Sequence, residues 1–354
     1  MRSDRRARDR GLAQGGQSRL AFVLILGVLL LPWLVLAQQA PSPLVQGVGS
    51  IEITVSDADR ALKFYSDVLS FEKISDQTVH DADFLRLEDA SAPAVRVIRM
   101  RLGDEYVDLM QFVGTQGRPV PADSRSNDRW FQHIAIVVSD MRRAYERLRD
   151  AHVEQISSGP QHLPDWNVNA AGIEAFYFRD PDRHALELIH FPPDKGQSKW
   201  HAPANKLFLG IDHSAIAIAD TNTSLRFYRD LLGLPIVGRS DNSGIEQEHL
   251  SGVPGAVVHI TSLRASSGPG IELLEYRFPQ NGRPISPDER ATDLVHWEIT
   301  LMTANAKGAA QELRRDHARF ISPDLITFKG TELGFREGFV VRDPDGHALR
   351  IVAP

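Results

Sequence analysis

The sequence predicts an α+β protein made of four copies of one unit: a strand, an amphipathic helix, then several further strands. Three observations carry that reading. Residues 51–69 and 214–232 are two versions of one segment, and the aspartates that open their helices, Asp57 and Asp220, lie 163 residues apart. The same 163-residue spacing links His133 with His296, and Asp180-Pro181-Asp182 with Asp343-Pro344-Asp345. Each half also contains the unit twice, since residues 132–148 and 295–313 again run from strand to helix start to apolar-striped helix. Self-similarity at so long a period marks repeated supersecondary units.

Residues 210–234 show the pattern most clearly. Ile216 and Ile218 alternate with Ala215 and Ala217, the period of a strand with two unlike faces. Asp220 stands at the helix N-cap, and Leu225, Phe227, Leu231 and Leu232 form the apolar stripe. His213 falls on the side of the small alanines, which suggests a concave surface. The first copy covers 47–191, with modules 47–115 and 130–191; the second covers 208–354, with modules 208–278 and 294–354. A linker rich in Pro, Lys and Gly spans 192–207. Gly117-Arg118-Pro119 recurs as Gly282-Arg283-Pro284 at a spacing of 165.

Residues 1–37 are set apart from the fold. Six arginines precede an uncharged apolar run over 20–36, and Val35 and Ala37 fit a signal peptidase site. The expectation is a cleaved signal peptide and an exported, periplasmic or secreted protein; the alternative is an anchor over 20–36. Six Arg against Asp4 and Asp9 in that segment, set against a net charge of −6 overall, leave the remaining 317 residues at −10. That balance argues against nucleic acid or an anionic membrane surface as partner. With no cysteine, disulfides, thiolate metal sites and Cys nucleophiles are excluded.

With these units in place, the chain resembles the vicinal oxygen chelate superfamily, which includes glyoxalase I, extradiol dioxygenases and bleomycin-resistance proteins. The resemblance rests on His-x-x-Ile-x-Ile-x-Asp at 213–220, on Phe227-Tyr228 with Leu232-Gly233-Leu234, on Ile271-Glu272-Leu273, and on Asp-Pro-Asp-x-His-Ala-Leu at 180–186 and 343–349. It implies βαβββ modules that pair into curved mixed sheets, with two metal-ligand positions per module on the concave face. Module one then offers Ser50 and Asp108, module two His133 and Glu187, module three His213 and Glu272, module four His296 and Arg350.

If the inner modules pair, as in single-chain glyoxalases of similar layout, His133, Glu187, His213 and Glu272 meet around one divalent cation. Such a set suits Zn, Ni, Fe, Mn or Co and does not choose among them. If neighbours in sequence pair, His213, Glu272 and His296 form a two-His-one-carboxylate triad, with Arg350 free to grip an anionic substrate. A single histidine on a buried strand is usually hydrogen-bonded into the core, but three at one motif position facing small residues point to ligands. Glu187 and Glu272 lie among Leu and Ile, where an unpaired carboxylate costs several kcal/mol. His184 and His347 beside the Asp-Pro-Asp turns read as structural, Phe64-Tyr65 and Phe227-Tyr228 as helix packing, and Arg118 and Arg283 as loop caps.

The implied activity is glyoxalase- or epimerase-type isomerase or lyase chemistry on a small substrate with vicinal oxygens. It would run through a metal-stabilised enediolate, with Glu187 or Glu272 as the base. The alternatives are extradiol ring cleavage and a non-catalytic small-molecule binder. Four modules in one chain allow a monomer, or a homodimer; the membrane enters only through an uncleaved leader.

Overall fold

The computed structural model describes residues 43–202, 205–329 and 334–354 of the chain. The leader segment at 1–37 lies outside the described residues. No helix among the described residues is long and apolar enough to cross a membrane.

Module one runs β1 (Gly47–Thr54), α1 (Ala58–Lys63), β2 (Glu72–Val79), α2 (Ala82–Leu87), β3 (Ala94–Leu102) and β4 (Glu105–Val113). Module two has β5 (Gln132–Val138), α3 (Met141–Asp150), β6 (Glu154–Gln155), β7 (Gln161–His162), β8 (Glu174–Arg179) and β9 (Ala185–His190). Module three has β10 (Phe208–Ile218), α4 (Thr221–Leu225), β11 (Ile236–Asn242), α5 (Ile245–Ser251), β12 (Val257–Leu263) and β13 (Gly270–Phe278). Module four has β14 (Trp297–Met302), α6 (Ala306–Arg315), β15 (Arg319–Phe320), β16 (Ile326–Thr327), β17 (Glu337–Arg342) and β18 (Ala348–Ala353). Asp57, Asp140, Asp220 and Asn305 cap α1, α3, α4 and α6, each side chain accepting a backbone N–H of the first turn.

Two mixed sheets of nine strands result, and each draws on both sequence repeats. The outer sheet joins modules one and four through antiparallel β1 and β14. The inner sheet joins modules two and three through antiparallel β5 and β10. The hydrophobic cores divide the other way. One core packs Ile51, Ile53 and Leu109 with Ile134, Ile136, Phe176 and Leu188, and so draws mainly on modules one and two, with Phe208, Ile211 and Trp297 at its border. The second packs Ile216, Ile218 and Leu273 with Ile299, Phe339 and Leu349, and so belongs to modules three and four. Each repeat thus shares a core with itself and a sheet with its copy. The pairing of sequence neighbours into one sheet, which the triad of His213, Glu272 and His296 requires, does not occur.

The Asp-Pro-Asp turns lock this arrangement. Asp180 accepts from the backbone of Asp182 and His184 and pairs with His184 Nδ1 at 2.8 Å. Tyr65 donates its hydroxyl to Asp180, and Tyr228 donates to Asp343 at 3.0 Å, so each helix aromatic fastens one module to the next. His347 Nδ1 pairs with Asp343 at 2.9 Å in the same way.

Candidate metal centre

The four inner side chains are placed by strand register. In the antiparallel β5–β10 pair, His213 stands opposite Ala135 and His133 opposite Ala215. Parallel β9 sets Glu187 beside Ala135, and parallel β13 sets Glu272 beside Ala215. Two imidazoles and two carboxylates therefore surround a pair of alanines, whose small side chains leave the space between them open. His133 Nε2 lies 3.0 Å from Glu187 Oε2, and His213 Nε2 lies 3.5 Å from Glu187 Oε2 and 3.3 Å from Glu272 Oε2. Ligand atoms of His133, Glu187 and His213 all fall within 4.8 Å of one another, and the three residues are buried.

The chemistry of this set fits a cation. Neither ring nitrogen of His133 has a hydrogen-bond partner among the described residues; its 3.0 Å approach to Glu187 is close but not aimed as a hydrogen bond. A buried, unpartnered nitrogen is costly unless something else fills its lone pair. Burial pushes the His213 imidazolium down, but Glu272, Asp212 and Glu187 outweigh it and raise the pKa well above the ordinary value. Burial likewise pushes Glu187 up, and His133 and His213 more than reverse it, holding the carboxyl below its usual range. The cluster draws in positive charge.

Residues that the sequence did not single out surround it. Asp212 Oδ2 sits 3.1 Å from His213 Nδ1 and 3.1 Å from Arg264 Nη2, while its Oδ1 accepts from Trp200 Nε1 at 2.8 Å and Gln197 Nε2 at 3.0 Å. A carboxylate on Nδ1 fixes the tautomer that leaves Nε2 free to ligate. Glu272 Oε1 accepts from Ser262 Oγ at 2.6 Å. Glu275 faces the other way and accepts from Thr221 at the start of α4. Asp212→Asn is expected to weaken binding of added Zn²⁺ by about 10–100-fold, read by competition with a chromophoric chelator.

A cavity of about 740 Å³ opens onto Glu187, His213 and Glu272. Ala175, Tyr177, Leu250, Ile260 and Leu274 give it apolar wall, and Lys195, Arg239 and Arg264 line it as cations. Phe191, Lys195, Gly196 and Gln197 also line it, so the segment joining the two repeats is part of the site.

The family model described as the Glyoxalase/Bleomycin resistance protein/Dioxygenase superfamily matches residues 47–188 and 210–351. The chain belongs to that superfamily. It is 32% identical over 152 residues to a 2-epi-5-epi-valiolone epimerase of Actinomyces sp, an alignment spanning 41% of this chain and 79% of that one. It is 26% identical over 198 residues to the lactoylglutathione lyase of Schizosaccharomyces pombe, spanning 54% of this chain and 60% of that enzyme. Glyoxalase I from Zea mays shares the fold, with TM-score 0.57 at 13% identity over 87% of this chain and 92% of that one.

In this superfamily member the outer sheet departs from the expected ligand positions. Glu52 pairs with Glu298 across β1 and β14, as Ala215 pairs with His133 in the inner sheet. Glu298, seven residues before the N-cap Asn305, therefore occupies the place of His133. His296 precedes β14 and is not the equivalent ligand: its Nδ1 pairs with Glu289 at 2.6 Å and its Nε2 with Glu298 at 3.0 Å. Ser50 donates to Glu52 at 2.5 Å, and Asp108 is held by Arg99 through contacts of 2.8 and 2.7 Å. Arg350 does not reach out to a substrate; it is buried against Glu298 at 2.7 Å, Glu88 at 2.9 Å and Glu52 at 3.4 Å.

Burial pushes His296 down, but Glu289 and Glu298 raise it from 6.5 to about 10. A histidine raised on folding contributes fully below its unfolded pKa, and loses that contribution as pH climbs through the folded value. Between pH 7 and 10 the urea midpoint of the native chain should fall further than that of His296→Gln; equal falls would remove His296 from the account.

Proposed function

We propose that the chain is an exported, divalent-metal-dependent enzyme that moves a proton at a carbon next to a carbonyl, in the manner of glyoxalases and epimerases. The observation that carries this reading is the meeting of Glu187, His213 and Glu272 on one open cavity, with His133 Nε2 3.0 Å behind Glu187. A cation held by these four would supply Lewis acidity toward adjacent substrate oxygens. Glu272 is the base: its side chain keeps 20% exposure on the cavity against 6% for Glu187, and Ser262 steadies its far oxygen. Asp212 holds His213 in orientation, and the apolar wall excludes water from the carbon being deprotonated. The three cations in the lining favour a substrate that pairs an apolar body with a carboxylate or similar anion.

The grouping of His133, His213 and Glu187 also favours a second reading, because two histidines and one carboxylate suit Fe²⁺ and oxygen chemistry. One screen separates the two. Protein purified without added metal is analysed for its elements, then incubated in D₂O with α-keto and α-hydroxy acids bearing apolar chains. Deuterium entering next to the carbonyl, without oxygen uptake, supports proton transfer. Oxygen consumption with catechols and no exchange supports ring cleavage, and absence of metal leaves only a binder. Export is tested by the intact mass of secreted protein, which should begin after Ala37.

A further inference from the structure

The outer sheet repeats the architecture of the inner one with different chemistry. Register places Ser50, Asp108, Glu298 and Arg350 where the inner sheet has His213, Glu272, His133 and Glu187. Glu52 joins them from the position of Ala215, and Glu88 from the residue after α2. Glu52, Glu88 and Glu298 are all buried, and one or more oxygens of each lack a hydrogen-bond partner among the described residues. What they share is Arg350. Its guanidinium lies 2.7–3.4 Å from all three, yet the approaches to Glu88 and Glu298 are not directed as hydrogen bonds. Carboxylates gathered around a charge without fork geometry resemble ligands around an ion more than an arginine–carboxylate pair. The centre of the Phe84 ring lies 5.5 Å from the guanidinium carbon, and Met110 Sδ is 3.6 Å from Nη2; both side chains are buried.

The concave faces agree. Four alanines, Ala175, Ala185, Ala215 and Ala217, stand beside Phe131, Tyr177 and Tyr276 in the inner cluster, where the cavity opens, whereas Phe84, Phe112, Phe328 and Phe335 pack the outer cluster.

We propose that Arg350 stands in the place of the cation of the outer sheet, so that the chain holds one exchangeable metal and one fixed guanidinium. The vacated position in an Arg350→Gln chain is a site for a hard divalent cation such as Mn²⁺, with Glu52, Glu88 and Glu298 as donors. The full chain and its Arg350→Gln and Arg350→Lys variants are dialysed against Mn²⁺ and counted by elemental analysis. The Arg350→Gln chain gains one equivalent over the native chain, while Arg350→Lys gains none and keeps a Tm close to native. The native count rests on the metal reading of the inner site; the difference between variant and native does not. A folded Arg350→Gln chain with no added equivalent overturns the proposal. If Arg350→Gln does not fold, Arg350→Lys decides: a folded chain upholds the charge-filling role, and an unfolded one overturns it, because a bare ammonium then fails to replace the guanidinium.

Discussion

Glu272→Gln is expected to lower turnover by about 10²–10⁴-fold while the cation stays bound, whereas Glu187→Gln is expected to lose the cation itself. The asymmetry follows from position. Glu187 Oε2 lies within 3.5 Å of both imidazoles and is sealed from solvent, so a neutral amide there removes the central acceptor of the cluster. Glu272 approaches His213 alone of the two imidazoles, at 3.3 Å, and borders the cavity, where it can meet a substrate proton. Its amide would keep the shape and the contact from Ser262 while losing the ability to take that proton. Elemental analysis of both variants, followed by the deuterium-exchange assay, reads the two effects separately. Native exchange rates in the Glu272→Gln chain would take the base role away from this residue. His213→Ala should behave like Glu187→Gln, because it also releases Asp212 from the imidazole it orients.

The fold was legible because every unit opens with a strand that runs into a short polar residue at a helix N-cap, and ends in a strand beside the unit's first. The repeats exposed that order before any contact was known. The convergence of the inner four side chains was legible for a related reason: each is a polar residue on a strand face otherwise given to small or apolar side chains. The outer set was misread through one detail. His296 keeps the 163-residue spacing from His133, but Asn305, the N-cap of α6, lies nine residues later instead of seven. Counting back from the cap gives Glu298, the residue the register places there. Asp212 and Trp200 were beyond reach, since the linker meets β10 only in the folded chain. The same holds for Glu88, which reaches Arg350 only because α2 covers the outer concave face.

Gly117→Ala and Gly282→Ala are expected to destabilise the chain by about 3 kcal/mol or more each, a fall in Tm of about 5 °C for a chain of this size. The cause is a close backbone crossing between the repeats. A Cβ at Gly117 would sit 1.7 Å from the Thr292 carbonyl oxygen, and one at Gly282 would sit 1.7 Å from that of Asn127. Backbone, unlike the end of a flexible side chain, cannot swing aside. The crossing is fixed by the arginines that follow. Arg118 grips Asp293 through its backbone N–H at 2.9 Å and its Nη2 at 2.6 Å, and Arg283 grips Asp128 at 3.0 and 2.7 Å. Asp293 is sealed from solvent; burial pushes its carboxyl up, yet Arg118 and neighbouring N–H groups hold it down at about 2. These clamps join the end of β4 to the segment before β14, and the end of β13 to the segment before β5. They therefore hold together the two modules of each sheet, the inner one carrying the candidate site. A glycine variant that melts within about 1 °C of native would show that the loops can part without loosening the sheets. A fall in Tm that is the same for both glycines is the expected result, since the two crossings are copies of each other.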